Sequence, residues 1–152
     1  MAARLPYRAL LIAAGAALAV AGCETVEEEV NEDIGNRFTA QLSGSAERPG
    51  PGDPDGAGMA RISVNDATNR VCTDLEVRMI GTVTAAHIHR GGAEVAGPVV
   101  ITLDAPDDDD SDDCDDAADA LVDEIRNNPS AFYVNVHSDV FPAGAIRGQL
   151  GK

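Results

Sequence analysis

The sequence has no Trp and a single Lys, Lys152, and aromatic residues make up only 3% of its 152 positions. Few flat rings are therefore present on which bases or sugars could stack. Basic side chains number 11 against 26 acidic ones, a formal charge of −15. Phosphate recognition needs clustered Lys and Arg, so a nucleic-acid partner is excluded. Familiar catalytic signatures are missing as well: there is no G-x-S-x-G elbow and no glycine-rich phosphate loop. No enzyme activity is expected. The hydrophobic share is nevertheless 44%, too high for a disordered acidic chain. A single globular domain fits that length and composition.

The N-terminus reads as an export signal. Arg4 and Arg8 precede an apolar run, Ala9 to Cys23, of 15 residues, shorter than the roughly 20 needed to span a bilayer. A basic start, a short apolar stretch and small residues at its end are the marks of such a signal. Val20-Ala21-Gly22-Cys23 resembles the lipobox of bacterial lipoproteins. That resemblance implies cleavage before Cys23, with acyl chains on its thiol and amine, and two or more chains anchor a protein stably. Residues 1–22 are then a lipoprotein signal peptide, and the mature chain has 130 residues and a charge of −17. Residues 23–37, acidic and poor in apolar side chains, are expected to form a tether.

Export bears on the remaining cysteines. Once Cys23 is lipidated, Cys72 and Cys114 are left in an oxidising compartment, where a disulfide is the expected outcome and two free thiols the alternative.

From Phe38 onward, short runs alternate apolar and polar residues between Gly, Pro and Asn clusters, the pattern of an all-β domain. Phe38, Ala40 and Leu42 mark one strand, and Ala60, Ile62 and Val64 a second. Val71, Thr73, Leu75, Val77 and Met79 alternate against Cys72, Asp74, Glu76 and Arg78, with one face for the core and one for water. Cys72 falls in the polar phase, so its bridge is expected to tie a loop across the outside of the sheet. Further strands are expected at Thr82 to His89, Pro98 to Leu103, Ala131 to His137 and Ala145 to Leu150. Ala118, Leu121, Val122 and Ile125 fall at helical spacing ahead of Pro129, which predicts a helix over Ala117 to Asn127. The expected fold is all-β: a small Greek-key-like sandwich or barrel of about seven strands with one short helix.

Two segments carry a family resemblance. TAAHIHRGGAEVAGPVVITL (Thr84 to Leu103) and NPSAFYVNVHSDVFPAGAIRGQL (Asn128 to Leu150) resemble the chordin-type (CHRD) domain. Its pattern runs H-I-H, a Gly-rich turn, G-P-V-V, Y-V-N-V-H and P-x-G-x-I-R-G-Q. Phe38 to Gly44 and Gly56 to Val64 resemble its opening strands, so the domain is expected over residues 38–152. The family occurs in animal chordins, which bind growth factors outside the cell, and in many exported bacterial proteins of undetermined role. The resemblance implies an extracellular β module rather than a reaction, and growth-factor binding does not carry over by fold alone.

All three His, His87, His89 and His137, lie in those segments. Residues two apart on a strand share a face, so His87 and His89 can converge on one metal. His137 shares its phase with Asn135 and Tyr133 in a polar stripe on another strand. Three imidazoles with an open position suit Zn or Cu. The H-x-H and its Gly-rich turn are also weakly similar to copper–zinc superoxide dismutase. That family uses more His ligands than this chain contains, and dismutase activity is not expected. The competing reading is a hydrogen-bond network of His87, His89, Asn135, His137 and Arg147 that fixes strand register.

Asp104 to Asp119 hold ten carboxylates in sixteen positions. This density, at Asp107 to Asp116, is a candidate Ca site, though it lacks the EF-hand order, and a solvated loop is the ordinary outcome of such a run. The chain is therefore expected to be an exported lipoprotein, lipid-anchored on the periplasmic side or at the cell surface. Its domain would serve as a binding or structural module for an envelope protein or matrix ligand. The alternative is a Cu- or Zn-binding, or metal-dependent redox, protein using His87, His89 and His137.

Overall fold

The computed structural model describes residues 36–107 and 109–152. The expected signal peptide, Cys23 and the expected tether up to residue 35 lie outside the described residues, as does Asp108.

Eight strands form one antiparallel sheet: β1 (Arg37–Ser43), β2 (Ala57–Asn65), β3 (Arg70–Arg78), β4 (Val83–Arg90), β5 (Val99–Leu103), β6 (Asp110–Asp116), β7 (Phe132–Ser138) and β8 (Ile146–Gln149). Their order across the sheet is β5-β4-β7-β8-β1-β2-β3-β6. The sheet curls until its two edges approach, where Ser111 Oγ on β6 donates to the Asp104 carbonyl after β5 at 3.0 Å. The result is a nearly closed barrel, in line with the expected all-β architecture.

Alternation decides the inner face. Phe38, Ala40 and Leu42 on β1, Ile62 and Val64 on β2, Leu75 and Val77 on β3, Ile88 on β4, Val134 and Val136 on β7 and Ile146 on β8 join one buried cluster. Removing such side chains from water is the main force for closure. The helix α1 (Asp119–Asn127) contributes Val122 and Ile125 to the same core. Arg126 pairs with Asp66 after β2 and Glu124 with Arg90 at the end of β4, which holds α1 against that end of the barrel.

The acidic run departs from expectation. It is an edge strand, β6, rather than a loop, and it makes eight strands instead of seven. Its residues pair with β3 from Arg70↔Asp116 through Glu76↔Asp110. Asp is a poor strand former, and carboxylates facing carboxylates across a ladder repel. Arg61 offsets part of this by binding Glu76 at 2.7 Å and Asp74 at 3.2 Å, while Arg70 donates to the Cys114 carbonyl at 3.0 Å. Cys72 and Cys114 face each other in this ladder and are joined by a disulfide. The bridge thus fastens two neighbouring strands and does not tie a loop across the sheet. Strand geometry also divides the Asp110 to Asp116 carboxylates between two faces, because neighbours point to opposite sides. Among the described residues, no three of these carboxylates gather within metal-ligating reach of one another, so the convergent oxygens expected for Ca are not found among them.

Removing the bridge with Cys72→Ala and Cys114→Ala frees a loop of sequence separation 42. The expected loss is about 4 kcal/mol in the chain-entropy picture, read by urea unfolding. Amide exchange should quicken first in β6. Unchanged exchange there would mean that the ladder alone holds the strand.

Candidate metal centre and its buried polar support

β7 is buried on both faces along nearly its whole length. Phe132, Val134 and Val136 face the core, while Tyr133, Asn135 and His137 face outward beneath two loops. Register brings their partners alongside: His87 lies opposite Asn135, His89 opposite Tyr133 and Ala85 opposite His137. On the other side Arg147 lies opposite Asn135, and Gln149 opposite Tyr133. The two polar stripes expected from the sequence are thus one surface, and its groups come from three adjacent strands.

The three imidazoles converge. His87 Nδ1 and His137 Nε2 are 3.2 Å apart, and one ligand atom from each of His87, His89 and His137 lies within 4.8 Å of the others. Two nitrogens bound to a tetrahedral zinc at the usual bond length are about 3.3 Å apart, so the closer pair already has the spacing of two ligands. Backbone carbonyls fix the ring protons. His89 Nδ1–H donates to Gly97 O at 2.8 Å, and His137 Nδ1–H donates to Pro142 O at 3.0 Å. Both rings are left with a lone pair on Nε2, and that of His137 accepts from His87 Nδ1–H at 3.2 Å. Such second contacts orient the imidazoles of metal sites and set their tautomers. The Nε2 of His89 is buried with no hydrogen-bond partner. The donor set fits zinc or copper.

Burial lowers the pKa of His87, with the neighbouring His137 and His89 acting in the same direction. Burial likewise lowers that of His89 against the raising effect of its Gly97 bond, and Arg147 adds to the lowering. Both rings are therefore neutral at neutral pH, the form that binds metal.

A buried framework supports the rings. His89 stacks on Tyr133 with centroids 4.7 Å apart, and Arg147 Cζ lies 3.4 Å from the centroid of the same ring. Arg147 is 1% exposed. Its Nη2 donates to Gly92 O at 2.8 Å, and Gln149 Nε2 donates to Gly91 O at 2.8 Å. Gly97 N–H donates to Tyr133 Oη at 3.0 Å. The loop from Gly91 to Gly97 is latched through these backbone groups. A Cβ on Gly97 would lie 1.7 Å from Arg90 O, so only glycine fits. Asn135 and Arg147 are both buried here.

Glu47 was not legible as part of this site. It lies in a Pro- and Gly-rich segment with no periodic pattern. In the fold it is 4% exposed and accepts from Asn135 Nδ2 at 2.6 Å. Burial raises its pKa against the opposing effects of that bond and of Arg147.

The sequence pattern of the CHRD domain matches residues 38–150. The chain belongs to this family. The match takes in all three His and Glu47, Tyr133, Asn135 and Arg147, so the whole polar surface lies inside the CHRD domain. No curated protein and no solved structure matches the chain.

Two outcomes test this geometry. Long-range 15N NMR of the metal-free protein should show His89 and His137 protonated at Nδ1. Gly97→Ala should remove that signature from His89 and leave it in His137; equal loss from both would show general unfolding instead. Lowered folded pKa values for His87 and His89 mean that the unfolded chain binds protons first as pH falls below 6.5. Stability of the metal-free protein should therefore be full above that value and decline below it. A chemical-denaturation series across this range reads the slope.

Proposed function

We propose that the protein is a lipoprotein of the cell envelope whose CHRD domain is a binding module for a divalent transition metal, zinc or copper, at His87, His89 and His137. The observation that carries this is the pair of carbonyl contacts to His89 and His137. They leave two Nε2 lone pairs in a cluster whose ligand atoms lie within 4.8 Å, and the one on His89 has no other partner. A register-fixing network alone does not account for that: it would be expected to satisfy each buried acceptor. With three protein ligands one coordination position stays open, which suits exchange with a partner in the envelope. The role is binding rather than turnover. Cys23 places the domain at a membrane surface, with the acidic segment after it as spacer.

The full chain purified without a His-tag should bind one equivalent of Zn²⁺ or Cu²⁺. Cu²⁺ should show nitrogen couplings in its electron paramagnetic resonance spectrum. His87→Ala and His137→Ala should each lower affinity by at least tenfold, and wild-type protein that stays metal-free would sink the assignment. A labelled fatty acid should be incorporated by the exported chain and not by Cys23→Ser; equal labelling of the two would remove the lipid anchor.

A further inference from the structure

At the three-His cluster Asn135 Oδ1 and His89 Nε2 are buried acceptors without a partner, and on the neighbouring β8 Gln149 Oε1 and the donor Arg147 Nη1 also lack one. Asn135 is opposite His87 in the β4–β7 register and two residues from His137 on the same strand, so it forms the floor of the cluster. Its Nδ2 is committed to Glu47 at 2.6 Å, and its Oδ1 has no partner. The Nε2 of His89 has none either. The Asn135 side chain nevertheless lies close enough to His89 to favour its protonated form. Two acceptors without a donor are costly when buried, and a cation between them would satisfy both.

We propose that Glu47 is the buried counter-anion of the His87, His89 and His137 site, coupled to it through the Asn135 carboxamide, so that metal binding displaces a proton from Glu47 to solvent. This rests on the metal-binding reading above and adds its regulation.

The amide has two orientations, and the charge on Glu47 selects between them. Ionised Glu47 accepts from Nδ2, which turns Oδ1, the negative end of the amide dipole, toward the metal position. Protonated Glu47 instead donates its O–H to Oδ1. The amide then turns over and Nδ2–H can reach His89 Nε2, which satisfies both orphans and removes a ligand lone pair. The ionised state leaves both acceptors for a cation, whereas the protonated state is internally paired. One accepts a metal and the other closes the site.

The charges around Glu47 agree with this role. Arg147 on β8 is the buried cation within electrostatic reach, and it disfavours positive charge at His89. Arg48, next in the chain, is held by Glu94 of the β4–β5 loop at 3.0 and 3.1 Å. Gly144 and Gly52 close over the Glu47 side chain: a Cβ on Gly144 would be 2.6 Å from the carboxyl, and one on Gly52 would be 2.8 Å from Cγ. A divalent ion beside Arg147 would put two cations in one buried region, and Glu47 supplies the anion they require. Glu47 is a positioning residue here, because it acts through Asn135.

The test is Zn²⁺ titration of the full chain by calorimetry in buffers of different ionisation enthalpy, from about pH 5 to pH 7. Wild type should release more protons per zinc than Glu47→Gln, and the difference should shrink as pH rises and Glu47 ionises unaided. Affinity of Glu47→Gln should be lower by about 10- to 100-fold, the usual effect of an outer-shell partner. Equal proton release and equal affinity would overturn the coupling while leaving the metal site standing. Wild type that binds no zinc would overturn both. A second readout needs no variant: 13C NMR of the Glu47 carboxyl should move to its ionised value when zinc is added near its midpoint. A carboxyl that stays put while the His resonances shift would also overturn the coupling.

Discussion

A guanidinium held out of water organises this domain. Arg147 lies under two loops with its charge against the face of Tyr133, and a buried charge is tolerated only where neighbours compensate it. Compensation comes from the Gly92 carbonyl, from the Tyr133 ring and, through space, from Glu47. Each of these fixes something else. Gly92 latches the loop that also presents Gly97 to His89, and Tyr133 sets the plane on which His89 stacks. Glu47 orients Asn135. The imidazole geometry is in this sense a by-product of how the barrel accommodates one arginine.

Much of the scaffold was legible in the sequence because alternation is a strong signal where one face meets a core. β1, β2 and β3 follow their apolar phases closely. β7 was legible as a strand, but its second buried face was not: nothing in Tyr133, Asn135 and His137 announces that loops cover them. β6 escaped because its residues have poor strand propensity and no apolar phase at all. Its pairing is dictated by β3 and by the Cys72–Cys114 bridge, both of them non-local.

The site divides in the same way. His87 and His89 shared a face by spacing alone, and His137 joined them only through the register of β4 against β7. Glu47, 88 residues from Asn135 in sequence, gave no local sign of its role, since a lone acid among Pro and Gly looks like solvated loop. Gly97 gave none either, because its function lies in its backbone amide and carbonyl. Contacts made by main-chain atoms leave no residue-type signature.

The β6 edge has a consequence for how copies of this protein meet. An open sheet edge normally invites another strand to add to it. Here the exposed edge is the sequence DSDDCDD, so a second copy approaching by its own β6 would lay carboxylate beside carboxylate along the whole ladder. Lateral sheet extension through that edge is blocked by charge. Chains crowded on a common surface would not join through this edge.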